Sequence, residues 1–226
     1  MPDVARAPRI APLHPPYAPE IDAALRRWMP PGVDLEPLKL FRTLNVHSEL
    51  ASRMRPLGSG ILAHGRLQPR EREIVIHRTC ARAGAEYEWG VHAVAYGKPL
   101  GLSDEQLAAT VRGDSQDPAW SESDGLLIAL ADELYDTATV SEELWQRLAT
   151  RFSDEQLLEL LVAAGWYRLI SYVINAVGVE LEAWAARFPC GPLRRCPLAP
   201  HGGRQRPLAP AVAVLAEVDP LPGAER

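Results

Sequence analysis

Proline is placed unevenly along this chain, and its placement constrains the fold more than any other feature. Of 21 prolines, eight lie in residues 1–31 and eight in residues 189–226, leaving five for the 157 residues between. Proline fixes φ and lacks an amide donor, so packed helices exclude it from their interiors while connecting arms tolerate it. The pattern predicts one helical domain over residues 20–188, flanked by a disordered arm at 1–19 and a proline-rich disordered tail at 189–226. A domain of roughly 150 residues is long enough to bury a sizeable core.

Within that domain the apolar residues recur at helical spacing. Glu20–Met29 reads as a short helix, and residues 37–64 suit one or two amphipathic helices. Pro69 opens a helix whose first turn holds Glu71 and Glu73, a beginning favoured by the orphan amides and the dipole. It should run to about Gly84, with a second segment from Glu86 to the Gly97–Gly101 break. Ser103–Gln106 and Ser153–Gln156 have capping-box form. Ser121–Asp136 and Ser141–Phe152 read as two more helices. The helix from Ser153 is apolar on nearly every face, as expected of one surrounded by others. No segment alternates as a strand does, so the expected fold is an all-α bundle of about six to eight helices.

The net charge of −5 argues against nucleic-acid or anionic-membrane partners, which favour basic surfaces. Polar residues interrupt the most apolar stretch, 160–179, which reads as a core helix with no membrane role. Two of three cysteines, Cys190 and Cys196, fall in the tail, so no disulfide framework is expected and a cytoplasmic location is the default.

Residues 68–106 hold the chemistry. Residues four apart share a helix face, so Glu88 neighbours His92, Glu73 neighbours His77, and Cys80 follows on the latter face. If the two helices form a hairpin, both Glu-x-x-x-His pairs converge on one pocket. A carboxylate beside an imidazole fixes its tautomer and raises its pKa, as proton transfer requires. The quartet also admits a zinc or iron reading, although di-iron bundles use Glu-x-x-His spacing.

The stretch PREREIVIHRTCARAGAEYEWGVHAVAYGKPLGLSDEQL resembles the central motif of the carboxymuconolactone decarboxylase and AhpD-like alkylhydroperoxidase superfamily. GWYRLISYVINAVGVELEAWAARF resembles its C-terminal portion. The resemblance implies an AhpD-like helical fold, no metal or other cofactor, and a small-molecule substrate. It also implies a homo-oligomer, either trimer or hexamer. It places the conserved glutamate on Glu73 and the conserved histidine on His92. The two cysteines of the peroxidase branch would fall on Ala85 and Glu88, so the dithiol is absent. Glu88 is the residue expected of the decarboxylase-like branch, whereas Ala85 and Arg168 depart from its usual pattern. The resemblance therefore implies a cofactor-independent lyase for a small carboxylated lactone. His92 would be its acid/base, Glu88 the orienting partner and Glu73 a second proton carrier. His77, Cys80 and Trp89 would line the pocket, and Arg78, Arg82 or Arg168 would hold a substrate carboxylate. The alternatives are an AhpD-like peroxidase working through Cys80 and a non-catalytic ligand-binding member.

Overall fold

The computed structural model describes residues 7–29 and 35–189. The expected tail, beyond Pro189, lies outside the described residues. Nine α-helices follow one another, with no strand among the described residues. They are α1 (Pro19–Arg26), α2 (Lys39–Leu44), α3 (Ser48–Ala63), α4 (Pro69–Arg82), α5 (Glu86–His92), α6 (Asp104–Arg112), α7 (Glu122–Thr137), α8 (Glu142–Ala149) and α9 (Asp154–Val177). The all-α bundle expected from the sequence is the fold observed.

α4 is the hub. It packs against α5, α6, α7 and α9 and buries nine consecutive residues, Arg72 to Cys80. Its start combines Pro69 at the first helical position with a reciprocal Gln68–Glu71 capping box. These satisfy amides that a helix cannot bond internally. Glu73, two residues past Glu71, falls outside the first turn where both acids were expected, and is fully buried.

α4 ends at Gly84, whose φ of +65° suits a residue without Cβ. There the Ala85 amide donates to the Cys80 carbonyl, and the chain reverses into α5. The two helices thus form the hairpin that the spacing of Glu73 and His92 suggested. α5 runs on as a π-helical turn over Ala93–Gly97, a local widening that periodicity cannot reveal.

α6 and α9 begin with the two capping boxes read from Ser103 and Ser153. α9 is the one described helix long and apolar enough to cross a membrane. Here it packs against α3, α4, α5 and α8 within the bundle. After it, residues 179–189 cross back over α5. Glu182 accepts hydrogen bonds from the Tyr87 hydroxyl and the Lys39 amide, and the Ala186 amide donates to the Gly90 carbonyl.

The N-terminal arm differs from its expectation where it is described. Residues 7–18 form no helix, yet the Arg9 amide donates to Val177 and the Leu13 amide to Arg42. Arg42 in turn donates a side-chain hydrogen bond to the Leu13 carbonyl. Backbone bonding, invisible to composition, ties this segment to α9 and α2.

Candidate functional site

The α4–α5 hairpin brings Glu73 and His92 together although nineteen residues separate them. His92 Nδ1 lies 2.9 Å from Glu73 Oε2, and since a carboxylate only accepts, Nδ1 carries the proton. On the opposite edge of the ring, Nε2 lies 3.6 Å from Glu88 Oε1. Glu73 is therefore the direct partner, and Glu88, expected as the orienting residue, stands just beyond hydrogen-bond distance. The i,i+4 relation showed only the looser of the two contacts, because the closer one crosses between helices.

Aromatic rings enclose His92. Tyr96 stacks on it at 4.8 Å, and Tyr167 from α9 meets it edge-on at 5.0 Å. Neither tyrosine is among the residues expected from the sequence to form the site. The helical phase places Tyr96 four residues from His92, which is the signal that it shares the face.

Burial pushes the His92 pKa down, but the adjacent Glu73 and Glu88 carboxylates outweigh it and hold it at about 9. His92 is thus an imidazolium at neutral pH. Its neighbour His77 behaves oppositely. Burial lowers its pKa to about 4, and its Nδ1–H donates 2.7 Å to the Glu73 carbonyl oxygen. His77 is neutral, with Nε2 buried and unpartnered. Two imidazoles with ring centres 6.2 Å apart therefore differ in charge: burial dominates at His77, whose Nδ1 lies 3.5 Å from Glu73 Oε2 and gives its proton to the backbone, whereas His92 Nδ1 bonds that oxygen at 2.9 Å.

Cys80 is fully buried, and burial together with the Glu88 charge pushes its thiol pKa well above the ordinary value. Trp89 stands edge-on to His77 and donates its indole N–H to Thr110 Oγ1. His77, Cys80 and Trp89 thus form a packed wall behind the Glu73–His92 pair. No group of three or more His, Cys, Asp or Glu residues able to hold a metal occurs among the described residues.

The arginines suggested as carboxylate holders have other partners. Arg78 bonds Asp132 and the carbonyls of Thr110 and Gly113. Arg82 bonds Asp132 and Asp136. Arg168 lies over the Tyr135 ring and donates to the Tyr172 hydroxyl.

Residues 48–132, which contain the entire hairpin, match the sequence model of the carboxymuconolactone decarboxylase family. Over that stretch, 85 of its 226 residues, the chain is similar to that family. No curated protein matches it. Among solved structures, an uncharacterized peroxidase-related protein from Silicibacter sp. TM1040 is similar, with a TM-score of 0.69 at 13% identity. That match covers 84% of this chain and 100% of the other. The debrominase Bmp8 in complex with 2,3,4-tribromopyrrole has a TM-score of 0.65 at 17% identity, covering 77% of this chain and 92% of its own. An Agrobacterium tumefaciens protein of unknown function, suggested as an AhpD antioxidant defence protein, has a TM-score of 0.57 at 18% identity. It covers 62% of this chain and 95% of its own. At such identities the likeness is one of fold.

Proposed function

We propose that this protein is a cofactor-independent lyase that removes carbon dioxide from a small carboxylated lactone or related carbonyl compound. The observation that supports the reading is a buried imidazole, His92, bonded to Glu73 on one edge and faced on the other by Glu88, two carboxylates that hold its proton. Decarboxylation leaves the electron pair of the broken C–C bond delocalised into the neighbouring carbonyl. That carbanion must then receive a proton on carbon.

In this reading Glu73 fixes the ring through Nδ1, and the Nε2–H is the proton delivered. The product then carries the new C–H bond and His92 is left neutral. Glu88, 3.6 Å from Nε2 and the least buried of the three, returns a proton from solvent. A group that starts charged and ends neutral gives up a proton while substrate charge is being quenched, the task of a general acid. Carbon dioxide release from carboxymuconolactone, followed with purified protein in deuterated water, tests this. Turnover with one deuterium on the former carboxyl-bearing carbon is expected, with His92→Gln slower by about 10²-fold or more. Equal rates in the wild type and His92→Gln, or no turnover across a panel of carboxylated lactones, would reject it.

Peroxide reduction, suggested by the names of two structural neighbours, is the second reading. It needs a thiolate, and Cys80 is sealed in the core with its pKa raised. Thiol-dependent peroxide consumption abolished by Cys80→Ala would favour it over the lyase.

A further inference from the structure

A cleft of about 270 Å³ opens between α3 and α9, away from the Glu73–His92 pair. Its walls are apolar, formed chiefly by Leu57, Ile61, Leu67, Leu158 and Val162. Arg72, the residue immediately before Glu73 on α4, also lines it, with Nη1 3.9 Å from the Cβ position of Gly65 on the same wall. Arg72 is only 6% exposed, and its Nε is sealed from solvent without a partner. No ion pair or side-chain hydrogen bond engages it among the described residues. The carboxylate that lines the cleft, Glu159, is occupied: it accepts from the backbone amides of Arg66 and Leu67.

A buried charge without a partner is costly, whereas the same charge with an anion in good geometry is not. A guanidinium presents a planar fork that matches a carboxylate in two parallel hydrogen bonds. The other arginines on α4 already have carboxylate partners: Arg70 pairs in two bonds with Asp124, Arg78 in two with Asp132, and Arg82 with one bond each to Asp132 and Asp136. Arg72 has the fork but no described carboxylate within ion-pair distance, because Glu159, which borders Gly65 with it, is turned to the backbone amides. The volume falls just below the ~300 Å³ at which drug-sized pockets begin, which suits one substituted ring.

We infer that the α3–α9 cleft binds a small apolar carboxylate, of the size of a substituted benzoate, with Arg72 as its anion partner. Arg72 precedes Glu73, and its charge acts on the Tyr96 phenol, whose ring stacks on His92. The cleft is a second site that neither Glu73 nor His92 lines, and the binding does not rest on the lyase reading.

Calorimetric titration of the full chain with para-isopropylbenzoate and with the neutral para-isopropylbenzamide tests the inference. The carboxylate should bind at least tenfold more tightly than the amide, and Arg72→Gln should abolish that preference. Gly60 lines the cleft, and a Cβ built on it meets no atom within 4 Å. Gly60→Leu should therefore fill the cleft and abolish binding without lowering Tm. Equal affinity for acid and amide, or binding that survives Gly60→Leu, overturns the inference. So does absence of binding together with a change of oligomeric state in Arg72→Gln, which would assign the guanidinium to a carboxylate of a second copy. Selective binding without turnover of any carboxylated lactone upholds the cleft and rejects the lyase alone.

Discussion

Glu71 and Glu73 stand two positions apart on α4 and meet different fates. Glu71 reaches back to the Gln68 amide and pairs with Arg151 at the surface, while Glu73 turns into the core to hold His92. The sequence distinguishes them only by the family resemblance, because both suit the start of a helix. What it could not supply is the partner, since the Glu73–His92 contact depends on how α5 folds back. The same pair sets a pH dependence. The His92 pKa is raised from 6.5 to about 9, so its stabilisation is complete below pH 6.5 and is lost as pH climbs toward 9. His77 has the opposite sign: lowered to about 4, it stabilises above pH 6.5 and loses that contribution as pH falls toward 4. Denaturation followed across pH should show both limbs. In Glu73→Gln the alkaline limb should vanish, and the His92 ring resonances should titrate more than ~1 unit lower. An unchanged His92 midpoint would contradict the charge assignment.

At the scale of elements, legibility followed local chemistry. Ser103, Ser121, Ser141 and Ser153 each cap the helix they were expected to begin, because an N-cap is a bond between residues three apart. The π-helical turn at Ala93–Gly97 and the return of residues 179–189 over α5 were not legible, since both depend on neighbours distant in sequence. Gly90 marks that return. A Cβ placed on it would lie 2.0 Å from the Ala186 carbonyl oxygen, so backbone meets backbone there with no room for a side chain. Gly90→Ala should lower stability by about 1–3 kcal/mol, and Tm by several degrees, because the displaced atom is main chain and cannot rotate away. Amide exchange around Glu182–Phe188 should accelerate with it. A variant as stable as the parent, with that segment still protected, would mean the crossing is looser than the contact implies.

At the scale of the whole molecule, the outer face of α9 carries an apolar stripe. Leu158, Val162, Leu169 and Tyr172 recur at helical spacing on the outer face of α9, and Leu50 and Leu57 are exposed on α3 beside it. Soluble monomers seldom leave such a contiguous apolar face in water. From the lengths and diameters of the two helices, the face offers on the order of 600 Å². A standard interface buries about 800 Å² per partner, so this face approaches what a self-association needs. A second copy of the chain is the expected occupant, because a two-fold axis across α9 would set the stripe against itself and cover it in both subunits. Leu169→Glu tests this without touching the α3–α9 cleft. Light scattering should find a homo-oligomer for the parent and a dissociated species for the variant, since a carboxylate at the centre of an apolar contact is left without a partner. The cleft lies on the same face, so a second copy would roof it, and dissociation should also weaken aromatic-carboxylate binding. A parent that is monomeric at high micromolar concentration would refute the self-association and leave the cleft open to solvent.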